Sequence, residues 1–145
     1  MRQPLTSYLL VLAQVVLAAW LLIPGALFHW LPAGIGSGVA GAMLGVWALT
    51  VNRPGNFRVL PELRQGASLV QVGPYRWIRH PMYTAVILVT LGGVACQLTG
   101  LRVTAWLGLM AVLMAKAARE ERLLLAQFPE YAAYRAYTGR FSPWL

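Results

Sequence analysis

Acidic residues are scarce in this sequence, which contains no aspartate and only four glutamates against twelve lysine and arginine residues. Charged residues of all kinds make up 11% of the chain, whereas a soluble domain carries about a quarter. Hydrophobic residues account for 59%, and the mean hydropathy is +0.61. This composition excludes an ordinary soluble domain. It predicts an integral membrane protein, with residues 1–145 forming one domain.

Cysteine is nearly absent, and the common motifs of soluble enzymes are missing. The single cysteine, Cys96, excludes an intramolecular disulfide. His80 has no second histidine or cysteine at ligand spacing, so we expect no metal site there. The sequence contains no Walker loop, GxGxxG or GxSxG motif. The net charge of +8 does not indicate nucleic-acid binding, because the arginines lie at the ends of apolar runs.

Two long apolar blocks alternate with two polar ones. Arg2 is the sole charge from Met1 to Val51, and Arg102 is the sole charge from Pro81 to Ala115. About 20 helical residues cross a ~30 Å hydrocarbon core. We therefore predict an all-α, polytopic membrane protein with about four transmembrane helices and a short C-terminal cytoplasmic helix. The predicted spans are residues 5–28, 34–51, 81–99 and 103–118, and the short helix covers residues 130–138.

The first apolar run has a competing interpretation as a signal peptide, since Arg2 precedes it and small residues occur at Ala18 and Ala19. Its length and the second run that follows at once favour a span. Pro24 and Gly25 are expected to bend or end that helix. The second run carries glycines at helical spacing, which favours close packing between helices of the same chain. These glycines are Gly34, Gly38, Gly41 and Gly45.

The distribution of arginine predicts the topology. With four spans, the N-terminus, the 52–80 connector and the C-terminal block lie on one side of the membrane. That side holds nearly all the lysine and arginine, so it is expected to be cytoplasmic. We expect the protein in the inner membrane of a bacterium. The two polar blocks, including residues 67–83 and 116–134, then face each other on the same side.

The first block contains GPYRWIRHPMY at residues 73–83, with two arginines, one histidine, three aromatics and two prolines. A residue before proline is biased away from helix, and proline suits a first helical turn. A helix should therefore begin at Pro81, with His80 and Tyr83 on one face. The alternative is a set of interfacial anchors, and this is how we interpret Arg76 and Trp77.

The second block places Lys116 and Glu120 four residues apart in an otherwise apolar helical stripe. The simplest interpretation is an ion pair at the membrane interface. The alternative is a functional pair, because ionisable groups near a bilayer are functional candidates. We interpret the neighbouring charges as headgroup-level side chains on a solvated helix face: Arg119, Glu121 and Arg122. For Glu121 an alternative stays open, because both glutamates of the pair could face a cleft.

The stretch SLVQVGPYRWIRHPMY, a hydrophobic span, a Glu-Glu pair and EYxxY together resemble the isoprenylcysteine carboxyl methyltransferase family, across roughly residues 52–144. That resemblance implies an integral-membrane enzyme that uses S-adenosylmethionine. It implies cofactor contacts at Ser68, Leu69, Val70, Tyr75, His80, Pro81, Met82, Tyr83 and Glu120. Lys116 stands where the family has a substrate-side arginine, and with Glu120 it forms the expected catalytic pair. Ala67 and Pro129 also depart from the family pattern, which has histidine and glycine there.

The resemblance favours methyl transfer to a small or lipidic acceptor in the membrane. An isoprenylcysteine-type carboxylate is one option, and a thiol, an amine or a phospholipid headgroup are others. Lys116 would suit an anionic acceptor, and an apolar acceptor would enter from the bilayer lipids between the last two spans. The competing class is a non-enzymatic membrane scaffold or small-molecule binder. A transporter subunit is less favoured, because four spans are few and no span centre carries ionisable residues.

Overall fold

The computed structural model describes residues 5–25, 29, 31–52 and 69–143, and the described part is built of helices, as predicted. The helices are α1 (Leu5–Leu22), α2 (Pro32–Val51), α3 (Pro81–Cys96), α4 (Gly100–Gln127) and α5 (Tyr131–Tyr137), with a 3₁₀ turn at Gly73–Arg76. Three of the described helices, α1, α2 and α4, are long and apolar enough to cross a membrane. The end of the first predicted span and most of the 52–80 connector lie outside the described residues.

The third predicted span is shorter than expected. Helix α3 ends at Cys96, so its 16 residues extend about 24 Å, less than a ~30 Å hydrocarbon core. It contacts α1, α2 and α4. A core of Leu21, Val94, Leu109 and Leu113 forms where α1, α3 and α4 meet. Tyr83 and Phe141 pack against this core, which anchors the polar end of the bundle to its apolar interior.

Small residues bring α2 and α3 into close contact, as the glycine spacing predicted. A Cβ at Gly34 would lie 2.9 Å from the Gly92 carbonyl oxygen. A Cβ at Gly41 would lie 2.8 Å from the Ala85 carbonyl oxygen. The glycine face therefore serves packing within the chain and holds the start of α3 in place.

Replacing Gly41 by alanine is expected to lower the free energy of unfolding by about 1–3 kcal/mol, because the added methyl group would force the two backbones apart. Gly36→Ala in the same helix is the matched control, since no atom lies within 4 Å of its added Cβ. Thermal unfolding in detergent measures both. Equal melting temperatures for the two variants would contradict the close packing.

Helices α1 and α4 run antiparallel. Arg119 donates to Thr6 Oγ1 at 3.0 Å near the start of α1, and Arg102 Nη1 donates to the Leu21 carbonyl at 2.8 Å near its end. The contacts of Gly34 and Gly41 make α2 and α3 antiparallel as well. One side of the bundle therefore holds the start of α1, the end of α2, the start of α3 and the end of α4, which agrees with the predicted topology.

Arg102, at the opposite end of the bundle, closes the C-terminal end of α1. Its guanidinium also donates to the Ile23 carbonyl at 2.6 Å and lies 5.2 Å from the centre of the Trp20 ring. The last carbonyls of a helix have no partner within the helix, and a buried arginine supplies one. This accounts for a basic residue on the side that is otherwise poor in charge.

Arg102→Met is expected to cost about 1–3 kcal/mol of stability, because it leaves these carbonyls without a donor. Arg122→Met, at an exposed position of the same helix, is the control and should change stability little. Thermal unfolding in detergent again provides the measurement. A loss no larger at Arg102 than at Arg122 would show that the cap contributes nothing.

Candidate functional site

The chain enters the site through the 3₁₀ turn at Gly73–Arg76. Gly73 has φ of +59°, a left-handed conformation that side chains disfavour. A Cβ there would also lie 2.7 Å from Val51 Cγ2, so glycine is required for the close approach to α2. Trp77 follows the turn, is 48% exposed and lies 6.1 Å from the Trp47 ring, consistent with its interpretation as an interfacial anchor.

Helix α3 begins at Pro81 with His80 as its N-cap residue, as predicted. His80 adopts φ −124° and ψ 60°, outside the helical region, as expected before a proline. The rings of His80 and Tyr83 lie 5.4 Å apart and are nearly parallel, with an interplanar angle of 6°. The predicted shared face therefore exists, and its members stack on each other.

Helix α4 brings the second predicted pair against this face. The Tyr83 hydroxyl donates to Glu120 Oε1, and His80 Nδ1 lies 3.4 Å from Glu120 Oε2. Lys116 Nζ lies 5.1 Å from the centre of the Tyr83 ring and donates to Gln14 of α1. The structure thus gathers His80, Tyr83, Lys116 and Glu120 into one cluster.

The other described residues of the predicted cofactor set lie before the 3₁₀ turn, within it and in the first turn of α3. Leu69 and Val70 are half-buried in the chain before the 3₁₀ turn, and Ser68 lies outside the described residues. Burial, with a further contribution from the charge of Glu120, raises the pKa of Tyr75 to about 12. Pro81 is buried and Met82 half-buried in the first turn of α3.

Glu121 does not lie on a solvated helix face, so that interpretation was wrong. Its side chain is 4% exposed and accepts from Arg79 Nε at 3.0 Å and from Arg140 Nη2 at 2.7 Å. His80 Nε2 lies 3.4 Å from the same carboxylate. Leu113 and Ala117 precede Glu121 at intervals of four and are buried too, a spacing that could have indicated its position.

Arg119 and Arg122, the neighbours of Glu121, differ from each other. Arg119 is half-buried and bonded to α1, whereas Arg122 is exposed, as the interpretation of a solvated face expected. One turn of α4 therefore presents a buried carboxylate, a packed arginine and a solvated arginine.

His80 lies between the two carboxylates. Burial by itself would lower the pKa of His80, but the nearby carboxylates of Glu120 and Glu121 outweigh it and raise the pKa. The imidazole is therefore biased toward its charged form. A positively charged His80 would hold the two glutamates of α4 against the start of α3.

Arg79 fastens the C-terminal segment to the site, and sequence reasoning missed this role. Besides Glu121, its guanidinium donates to the carbonyls of Arg135, at 3.1 Å, and Thr138. Its backbone amide donates to the Gly139 carbonyl at 2.8 Å. Ile78 and Gly139 form an isolated parallel bridge.

Further hydrogen bonds connect the C-terminal segment to the start of α3. The His80 amide donates to the Arg140 carbonyl at 3.1 Å, and Thr84 Oγ1 donates to the Phe141 carbonyl at 2.7 Å. Residues 138–141, which we call the C-terminal strap, thus cover the outer edge of the cluster. Tyr134 of α5 reinforces it by donating to the Tyr75 carbonyl at 2.6 Å.

Taken together, the described residues form a helical membrane protein with a carboxylate, imidazole, phenol and ammonium cluster at one end of the bundle. Within the described ranges, no three histidine, cysteine, aspartate or glutamate side chains are grouped as a metal site. Such an arrangement can hold a polar cofactor at its surface and meet an apolar molecule from the bilayer.

A comparison with protein families identifies the class. The model of the isoprenylcysteine carboxyl methyltransferase (ICMT) family matches residues 35–126, more than half of the chain. The chain belongs to this family of membrane methyltransferases.

Two curated proteins are similar to parts of the chain. One is the cobalt-zinc-cadmium resistance protein CzcN of Cupriavidus metallidurans, 39% identical over 103 residues, which cover 70% of this chain and 47% of CzcN. The other is an uncharacterized protein of Schizosaccharomyces pombe, 33% identical over 87 residues, which cover 56% of this chain and 25% of that protein. The chain thus spans less than half the length of these relatives.

Proposed function

We propose that the protein transfers a methyl group from S-adenosylmethionine to a small or lipidic acceptor at the membrane surface. Family membership supports the reaction class, and enzymes of the family use this cofactor. The observation that carries the proposal is the difference in exposure and in partners between the two glutamates. Glu120 keeps 21% of its side chain exposed where His80 and Tyr83 converge, whereas Glu121 is enclosed by arginines.

The donor set fits the cofactor. A partly exposed carboxylate at Glu120 suits a cationic amine or ribose hydroxyls, which S-adenosylmethionine carries. An aromatic ring can face the positively charged sulfonium of the cofactor. The Tyr83 ring already stacks on His80 and contacts the Lys116 ammonium, so we assign this role to Tyr75. Ser68, Leu69, Val70, Pro81 and Met82 remain proposed cofactor contacts on the strength of the family resemblance.

Bound S-adenosylmethionine would supply an electrophilic methyl group on a sulfonium with a neutral leaving group. The side chains of the chain therefore need to do little acid–base chemistry, and positioning and exclusion of water dominate. Glu120 orients the cofactor, and the Tyr83 hydroxyl fixes the Glu120 carboxylate. Lys116 orients an anionic group of the acceptor, with which it would make direct contact.

A transfer assay with a labelled methyl donor tests the acceptor class. Matched amphiphiles ending in a carboxylate, a thiol, an amine or a phospholipid headgroup are each incubated with purified protein in detergent. We expect label in the carboxylate ester and its loss in Lys116→Met. Label in the amine or thiol instead would support methyltransferase activity but contradict a carboxylate as the acceptor. No label in any acceptor, with cofactor bound, would favour the rival class, a non-enzymatic small-molecule binder.

A further inference from the structure

Helix α5 carries a row of three tyrosines, Tyr131, Tyr134 and Tyr137. Residues three apart share a helix face, and the centre of the Tyr134 ring lies 5.7 Å and 5.8 Å from those of its two neighbours. Tyr134 is 3% exposed, whereas Tyr137 is 63% exposed. A helix of seven residues is not stable alone, so contacts with other segments set its position.

The hydroxyl of Tyr134 connects α5 to the 3₁₀ turn. It donates to the Tyr75 carbonyl at 2.6 Å, across 59 positions of the chain. Burial raises the pKa of Tyr134, so the hydroxyl stays protonated and remains a donor. The hydrogen bonds within the turn, such as that from the Tyr75 amide to the Val72 carbonyl at 3.2 Å, shape it locally. The bond from Tyr134 fixes the backbone of Tyr75 against α5.

Tyr134 is itself held in place by the C-terminal strap. Its carbonyl accepts from Thr138 Oγ1 at 2.7 Å, and the Thr138 carbonyl accepts from the guanidinium of Arg79. Gly73, at the start of the same 3₁₀ turn, makes the close contact with α2. The turn is therefore held by α2 through Gly73 and by α5 through Tyr75.

The ring of Tyr75 is close to the carboxylate that we assign to the cofactor. Burial, and next the charge of Glu120, raises the pKa of Tyr75 to about 12, so the phenol lies within electrostatic reach of Glu120. A single carbon joins the ring to the backbone, and a shift of the backbone therefore moves the ring. An aromatic ring attracts a cation only when the cation lies over its face, within about 6 Å of its centre. The contact of Tyr75 with a sulfonium thus depends on where its backbone is held.

We propose that Tyr134 is a positioning residue, which fixes the backbone of Tyr75 so that the Tyr75 ring faces the positively charged sulfonium of S-adenosylmethionine. This inference rests on the proposed function. Tyr134 lies beyond residues 35–126, which match the family model, so α5 contributes to the cofactor site from outside the matched segment. Tyr134 acts through Tyr75 and does not need to touch the cofactor.

The charge of the sulfonium provides the measurement. S-adenosylmethionine carries this charge, whereas S-adenosylhomocysteine has a neutral thioether in its place. Calorimetric titration of each into folded protein in detergent, without acceptor, gives the dissociation constant of S-adenosylhomocysteine divided by that of S-adenosylmethionine. Tyr134→Phe keeps the buried ring and loses only the hydroxyl. We expect it to lower this ratio about threefold, while the affinity for S-adenosylhomocysteine changes less than about twofold.

Two further variants separate positioning from packing. Tyr75→Leu removes the ring and should lower the ratio at least as much. When both substitutions are present, Tyr134→Phe should lower the ratio no further, because its effect passes through the Tyr75 ring. Tyr137→Phe is the matched control in the same helix, since its hydroxyl donates to the side chain of Gln71 at 3.1 Å and not to the turn. It should leave the ratio unchanged.

The ratio decides between the possible outcomes. An unchanged ratio in Tyr134→Phe, or equal weakening of both ligands, would overturn the positioning role. An unchanged ratio in Tyr75→Leu would show that this ring does not face the sulfonium. An equal fall in Tyr137→Phe would assign the effect to the packing of α5 and not to the Tyr134 hydroxyl. Folded wild-type protein that binds neither ligand would instead overturn the proposed function.

Discussion

Glu121→Gln is expected to loosen the C-terminal strap and to lower the free energy of unfolding by about 3 kcal/mol, the largest stability effect we predict. Glu121 is the buried carboxylate to which Arg79 and Arg140 both donate. Removing one partner of a buried ion pair leaves the other charges uncompensated, and this costs about 3–5 kcal/mol when all partners are buried. Arg140 is partly exposed, with 29% of its side chain accessible, so we expect the lower end.

Thermal unfolding in detergent measures the loss, and hydrogen exchange locates it. The backbone amides of Arg79 and Gly139, which bond across the strap, should exchange faster in Glu121→Gln. Glu130→Gln makes the same chemical change at an exposed glutamate and is the matched control. If Glu121→Gln were no less stable than Glu130→Gln, the buried carboxylate would not hold the strap.

Glu120→Gln is expected to weaken binding of S-adenosylmethionine by roughly ten- to a hundredfold while costing little stability. A hydrogen bond to a charged group contributes about 1.5–3 kcal/mol, and each 1.4 kcal/mol is tenfold in affinity. The amide oxygen of glutamine still accepts from the Tyr83 hydroxyl, so the cluster itself should survive. The lost quantity is the negative charge that would face the cationic amine of the cofactor.

The comparison of the two glutamates makes this prediction specific. Isothermal titration of S-adenosylhomocysteine into each variant gives the dissociation constant and the fraction of competent protein. Binding should fall much more in Glu120→Gln than in Glu121→Gln, once the folded fraction is taken into account. Equal weakening would mean that the roles assigned to the two neighbouring positions are wrong.

The central cluster could be predicted because its parts are encoded by short-range patterns. Pro81 fixes where α3 begins, which places His80 and Tyr83 one turn apart on a shared face. Lys116 and Glu120 follow from helical spacing in α4. The alternation of apolar and polar blocks then puts the two pairs on the same side of the membrane.

The rest of the site depends on contacts between residues far apart in the chain. The spacing of Leu113 and Ala117 indicates that Glu121 is buried, but no local pattern shows that the distant Arg79 and Arg140 are its partners. Gln14 is a polar residue in an apolar helix, and its hydrogen bond with Lys116 forms only when α1 packs against α4. The length of α3 was also overestimated, because no charged residue occurs before Arg102, whereas the helix already ends at Cys96.

The proposed methyltransferase site is tested most directly by a calorimetric titration of S-adenosylhomocysteine into purified wild-type protein in detergent, with Glu120→Gln measured alongside. We predict saturable binding at one site per chain, weakened at least about tenfold by the substitution at Glu120. Absence of saturable binding, in protein shown to be folded by a cooperative thermal transition, would contradict the proposal that the cluster is a methyltransferase site.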